Sequence, residues 1–151
     1  MSDWGLRGDA LDVMRAMLAL FPGVQVTSGK RSLEEQAAAM AANESIKRGW
    51  IAATYVDSTA KRACVDWCRE HPKATRKALQ SGLLSVLRGL LPSELASLSL
   101  HLSGDAFDVH PDKARPEIAK WLFAESVARG GKFIENEGGL WRWHWQAKRP
   151  A

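Results

Sequence analysis

The sequence predicts an α+β fold: a small antiparallel sheet flanked by helices, with a helical insertion. Three observations lead there. "KFIEN" and "LWRWHWQ" flank Glu137-Gly138-Gly139, a hairpin signal. The pattern between Glu44 and Ala96 is helical, broken only at Ser58, Pro72 and Pro92. Short alternating runs, "VQVT" at 24–27 and "AFDVH" at 106–110, sit between helices and suit the remaining strands.

In chain order, Ser2 or Asp3 is positioned to cap a first helix whose stripe is Leu6, Leu11, Met14, Leu18 and Phe21. Pro22-Gly23 ends it, and "VQVT" follows as a strand. "SGKRS" is a loop leading into a helix announced by the capping box Ser32-Leu33-Glu34-Glu35. Residues of about 44–96 form the helical insertion, with Ser58 as an N-cap and "ALQSGLLSVLRGLL" as a core helix. "SLSLH" (97–101) and "AFDVH" read as strands around the Ser103-Gly104-Asp105 turn. "RPEIAKWLFAESVARGG" has proline at its start and glycine at its end, as helices do. The expected organisation is one domain over residues 1–151.

The 151 residues are 46% hydrophobic and 25% charged, which suits a chain able to bury a core. No run approaches the eighteen apolar residues of a membrane span. "MSDWGLRGDALDVMRAMLALF" lacks the basic leader and continuous apolar segment of a secretory signal, so the chain is expected to be made in the cytoplasm. The net charge of +4 suits any polyanionic surface. Its basic pairs (Lys30-Arg31, Lys47-Arg48, Lys61-Arg62, Lys148-Arg149) are scattered rather than gathered on one helix, which argues against nucleic acid.

Cys64, Cys68 and His71 share a helical face in a Cys-x3-Cys-x2-His pattern. A structural zinc site normally takes four ligands, so two half-buried thiols are the favoured reading. Helix geometry opposes a disulfide between them.

The densest polar chemistry lies in "SLHLSGDAFDVH", residues 99–110. His101 and Asp108 are seven apart across a glycine-bearing turn and a strand. They either converge on one ion or are polar residues hydrogen-bonded at strand ends. A catalytic zinc site uses three protein ligands and water, so the ion reading requires a third ligand on a neighbouring strand. On "LWRWHWQ", Leu140, Arg142 and His144 face one way and Trp141, Trp143 and Trp145 the other. The tryptophans supply packing area, and His144 is placed to complete the set.

His-x-x-Gly-x-Ala-x-Asp (101–108) followed by Trp-His (143–144) resembles the zinc peptidases that cleave bacterial cell-wall peptides. That family includes D-alanyl-D-alanine carboxypeptidases and dipeptidases and the L-alanyl-D-glutamate endopeptidases of phage endolysins, and shares its metal core with hedgehog-type domains. The resemblance implies Zn²⁺ held by His101, Asp108 and His144. "SGKRS" is similar to the family's Ser-Gly-x-Arg-Ser segment and assigns Arg31 to substrate and the reacting carbonyl. Ser99, two before the first histidine, matches a position that helps hold a substrate carboxylate. The helical insertion would flank the cleft and grip glycan or stem peptide.

The sequence departs from the pattern at Trp141, where the family keeps the catalytic carboxylate three residues before the last histidine. The candidate bases are Glu137 and Glu135. A two-residue Gly138-Gly139 turn pairs Glu137 with Leu140 and Glu135 with Arg142, with both glutamates on the His144 face. Solvated hairpin carboxylates, or a Glu135–Arg142 salt bridge, are the plainer reading. Glu137 is favoured as base because a loop carboxylate reaches over a site more easily. Asp105 has no assignment, and His110, before Pro111, reads as a strand-end residue rather than a partner of Asp108.

The resemblance implies a monomeric peptidoglycan peptidase of phage or prophage type that reaches the wall through a pore or within a virion. The rival expectation, supported by Trp141, is a catalytically inactive virion structural or wall-binding module of the same fold.

Overall fold

The computed structural model describes residues 2–149. Among them are seven helices and one four-stranded antiparallel sheet, an α+β arrangement. No helix among the described residues is long and apolar enough to cross a membrane. The chain divides into two compact units. One comprises the residues up to Lys30 with those from Ser103 onward, the other Arg31–Leu102.

The first unit holds helices α1 (Gly8–Leu20) and α7 (Pro116–Arg129) and strands β1 (Val26–Ser28), β2 (Ala106–Val109), β3 (Lys132–Glu137) and β4 (Leu140–Gln146). The sheet order is β1-β2-β4-β3, so β4 is flanked on both sides. Strand residues alternate between faces. Phe107, Val109, Trp143 and Trp145 point to the face covered by Ala10, Val13, Met14 and Met17 of α1 and Ile118 and Leu122 of α7. Trp145 is fully buried, and its indole N–H donates to the Leu122 carbonyl at 3.1 Å. That apolar layer fixes which face of β2 and β4 is left for polar chemistry.

α1 starts later than Ser2 or Asp3 would set it. Ser2 Oγ accepts the Trp4 N–H at 3.1 Å, and Trp4 and Gly5 then take φ of 54° and 67°, which ends helical geometry. The opening residues instead brace the Ser103–Asp105 turn. The Arg7 N–H donates to the Gly104 carbonyl at 3.0 Å, and the Arg7 guanidinium meets Asp105 at 2.8 Å. Gly104 has φ +83°, and a Cβ there would lie 2.6 Å from the Gly5 carbonyl oxygen, so only glycine fits. Asp105 also accepts from Ser103 Oγ at 2.6 Å, while its own carbonyl accepts the Ala147 N–H at 2.9 Å.

Desolvation pushes the Asp105 pKa up, but the hydrogen bonds from Arg7 and Ser103 and the Arg7 charge outweigh it and hold the carboxyl below its ordinary 3.8. A depressed carboxylate pKa stabilises the fold above the unfolded value and ceases to do so as pH falls through the folded one. The urea midpoint of the wild type should therefore exceed that of Asp105→Asn at neutral pH. The gap should close below pH 3.8. A gap that is unchanged on acidification would show that the ion pair adds nothing.

The second unit is helical: α2 (Leu33–Ile46), α3 (Trp50–Thr54), α4 (Thr59–Glu70), α5 (Arg76–Arg88) and α6 (Pro92–Leu98). The expected capping box opens α2, with Ser32 Oγ accepting the Glu35 N–H and Glu35 accepting the Ser32 N–H, both at 3.1 Å. Ser58 and Thr75 cap α4 and α5 by the side chain alone, accepting the Lys61 and Ala78 N–H groups. Leu79, Leu83 and Leu87, one turn apart, are fully buried, and Gly82 leaves room for the Trp67 ring. The buried Glu44 carboxylate accepts the N–H groups of Gly49 (2.6 Å) and Ile51 (2.9 Å), satisfying the start of α3.

"SLSLH" is not a strand. Pro92 at the first turn and Glu94, which accepts the Leu91 N–H at 2.8 Å, start α6, which runs to Leu98. Cys64 and Cys68 are buried free thiols. Burial, with neighbouring negative groups, drives their pKa values up to about 12 and about 11, as expected of thiols packed in a helical core. His71 stacks on Trp67 and its Nδ1 lies 2.8 Å from the Trp67 carbonyl oxygen.

Candidate metal centre

The hairpin forms where the two glycines allow it. Gly138 and Gly139 have φ of 59° and 85°, the paired positive values of a tight turn, and Glu137 pairs with Leu140 across it. Beyond the turn the register slips. Asn136 opposes Trp141 but Ile134 opposes His144, so β4 carries one more residue than β3 over this stretch. The expected Glu135–Arg142 pair falls inside the slip and is not formed. Ile134 takes the place opposite His144, and Glu135 is exposed.

On its other side β4 places His144 directly opposite Asp108 of β2. His144 Nδ1 lies 2.9 Å from Asp108 Oδ1 and 3.4 Å from Glu137 Oε2. Its Nε2 lies 2.9 Å from Gln146 Oε1, two residues along the same face of β4. The imidazole is buried, and the two carboxylates are largely so. Burial works to lower the His144 pKa, and the Asp108 hydrogen bond and charge, aided by Glu137 and Gln146, overcome it and carry the value up to about 9. Both ring nitrogens thus face acceptors, and the imidazolium is the form this pocket of charge favours.

Arg31, Ser99 and His101 belong to the helical unit. There the Arg31 backbone N–H donates to the His101 carbonyl at 2.9 Å, and the His101 N–H donates to Ser99 Oγ at 3.3 Å. The Arg31 guanidinium donates to Gln36 Oε1 at 3.4 Å. Ser99 and His101 are buried, and the Leu102 N–H closes a turn on the Ser99 carbonyl. Each unit thus gathers part of the sequence-predicted set: Arg31, Ser99 and His101 in one, Asp108, His144 and Glu137 in the other.

No protein-family model, curated protein or solved structure matches this chain.

The donor chemistry fits a divalent ion. The sequence-predicted ligands His101, Asp108 and His144 would together offer it two imidazoles and one carboxylate. Such a set leaves one net positive charge on a dication, which preserves its power to polarise an oxygen.

Gln146 is the residue that reading the sequence missed. Its signal was present, because a residue two beyond His144 on a strand lies on the same face. His110 follows β2, with its N–H on the Gln25 carbonyl at 2.9 Å and its side chain exposed. Trp141, which occupies the position of the family's acid, is 42% exposed with the Lys113 ammonium 5.0 Å from its ring centroid.

Proposed function

We propose that this chain is a zinc-dependent peptidase hydrolysing peptide bonds in bacterial peptidoglycan stem peptides or cross-links, in the manner of a phage endolysin. The observation that carries the reading is a buried histidine gripped by two carboxylates, Asp108 at 2.9 Å and Glu137 at 3.4 Å, on the face of the sheet opposite its apolar core. Burying that many ionisable groups costs several kcal/mol in principle, an expense seen chiefly where chemistry requires it.

In this reading His101, Asp108 and His144 hold the ion. When bound, zinc supplies a Lewis acid and makes water nucleophilic near neutral pH. Asp108 contributes the one negative charge among the ligands and holds His144 in place. Glu137, with a carboxylate oxygen near His144, takes the proton from the attacking water and returns it to the leaving amine. Glu135, exposed and inside the register slip, is the alternative base. Arg31 binds the carbonyl oxygen as it gains charge or anchors a substrate carboxylate, and Ser99 contributes to that anchor. The positive net charge assists approach to an anionic wall.

Trp141 favours a second reading, a non-catalytic wall-binding or virion module, because an indole cannot accept a proton. One experiment separates the two. Purified protein loaded with zinc is incubated with isolated peptidoglycan, with and without a chelator, and released muropeptides are identified by mass spectrometry. Chelator-sensitive release of cleaved stem peptides supports the peptidase and names the bond. Zinc binding without release would assign the chain to the non-catalytic class. In the same assay His101→Ala should lose the metal as well as the activity, and full zinc retention in that variant would remove His101 from the ligand set.

A further inference from the structure

The placement of Gln146 deepens the metal reading and rests on it. We infer that Gln146 is a positioning residue that holds the Nε2–H of His144, so that Nδ1 is the nitrogen presented to the metal. The geometry is directional. Asp108, the proposed neighbouring ligand, sits opposite His144 on β2 and approaches Nδ1, not Nε2. An ion shared by Asp108 and His144 must therefore lie on the Nδ1 side of the ring. Nε2 is turned away from Asp108 and onto the amide oxygen of Gln146 at 2.9 Å.

A neutral imidazole carries one proton, and the nitrogen without it is the metal ligand. An amide oxygen at Nε2 accepts that proton's hydrogen bond and stabilises the tautomer with a free lone pair on Nδ1. The backbone makes this partner rigid. Gln146 is paired with Ala106 on one side and Lys132 on the other, so its Cα is fixed in the middle of three strands. Gly131 allows the close approach needed there, since a Cβ at that position would lie 2.4 Å from the Gln146 carbonyl oxygen. The alternation of β4 puts Trp143 and Trp145 in the core and leaves His144 and Gln146 together on the other face. The amide is thus held beside the ring by the same packing that holds the ring.

The test uses the full chain and zinc itself. Zinc affinity is measured by competition with a chromophoric chelator for the wild type, Gln146→Leu and Gln146→Glu, with circular dichroism confirming that each is folded. Gln146→Leu removes the acceptor and should weaken zinc binding about 10- to 100-fold, the usual effect of losing a hydrogen-bond partner of a metal-bound histidine. Gln146→Glu keeps an acceptor at the same reach and should restore affinity to within a few-fold of the wild type. Long-range proton–nitrogen spectra of the zinc-loaded wild type should show His144 Nε2 protonated and Nδ1 metal-bound, a signature that a merely structural residue would not set. Metal bound through Nε2, or undiminished affinity in Gln146→Leu while the wild type binds zinc, would overturn the inference and leave the metal site standing. A wild type that binds no zinc would overturn both.

Discussion

Replacing Glu137 with alanine should lower peptide hydrolysis about 100- to 10,000-fold while zinc remains bound, the range by which a positioned general base contributes. The expectation follows from where the carboxylate sits. Glu137 Oε2 is 3.4 Å from His144 Nδ1, and the side chain is only 16% exposed although it adjoins a hairpin turn. Glu137 is not one of the three proposed ligands, so its removal should cost turnover and spare the metal. Glu135→Ala is the matched control, because Glu135 lies two residues away in the same strand and faces solvent. Muropeptide release and bound zinc are measured on the same preparations of both variants. If Glu135→Ala abolishes release and Glu137→Ala does not, the base has been assigned to the wrong glutamate. Loss of zinc from Glu137→Ala would instead make that carboxylate a ligand.

Truncating Trp145 to alanine should destabilise the sheet unit by about 3–5 kcal/mol, as large-to-small changes of fully buried aromatic residues do. Three losses coincide at this position. The indole is fully buried on the central strand, it stacks on Phe107 with ring centroids 5.8 Å apart, and its N–H is the donor to the Leu122 carbonyl. Its removal leaves a cavity between sheet and helices and strips a partner from a helix carbonyl. Since a domain's whole stability is typically about 5–15 kcal/mol, the variant should sit close to unfolding at room temperature. Trp145→Phe retains most of the ring volume and forfeits the hydrogen bond, so it should cost less, about 1–2 kcal/mol. Urea unfolding followed by far-ultraviolet circular dichroism measures both. Equal losses in the two variants would mean that the hydrogen bond, not packing, is what Trp145 contributes. Because His144 adjoins Trp145, zinc affinity should fall with stability in the alanine variant.

Much of the fold was legible because its signals are local. The Ser32–Glu35 capping box, Ser58 as an N-cap, Pro116 and Gly130 at the ends of α7, and Gly138-Gly139 between β3 and β4 each depend on a few adjacent residues. Alternation in "LWRWHWQ" likewise separated a core face from a polar one, and Trp143 and Trp145 are buried as that pattern requires. Trp141 is the partial exception, being less covered near the turn than its neighbours are deeper in the sheet.

The misreadings share a different cause. Serines and leucines at 97–101 alternate like a strand, yet Pro92 and Glu94 start a helix that reaches through the first of them. Ser2 and Asp3 are good caps, yet the chain bends at Trp4 and Gly5, and Arg7 is engaged by Gly104 and Asp105, about a hundred residues later in the sequence. The extra β4 residue that strands Glu135 inside a register slip depends on how two strands settle against one core.

By itself, then, the sequence determined the α+β class, the helix boundaries marked by caps, the hairpin, and the residue types able to serve as metal ligands. Those properties follow from backbone preferences and periodicity, which act over one or two turns. Only the tertiary structure decided that Asp108 stands opposite His144, that Glu137 rather than Glu135 comes near the imidazole, and that Gln146 occupies its far nitrogen. These are choices among registers and side-chain directions with similar local energies. Burial of Trp143 and Trp145 against α1 and α7 selects among them, because shifting the strand by one residue would turn both indoles out of the core.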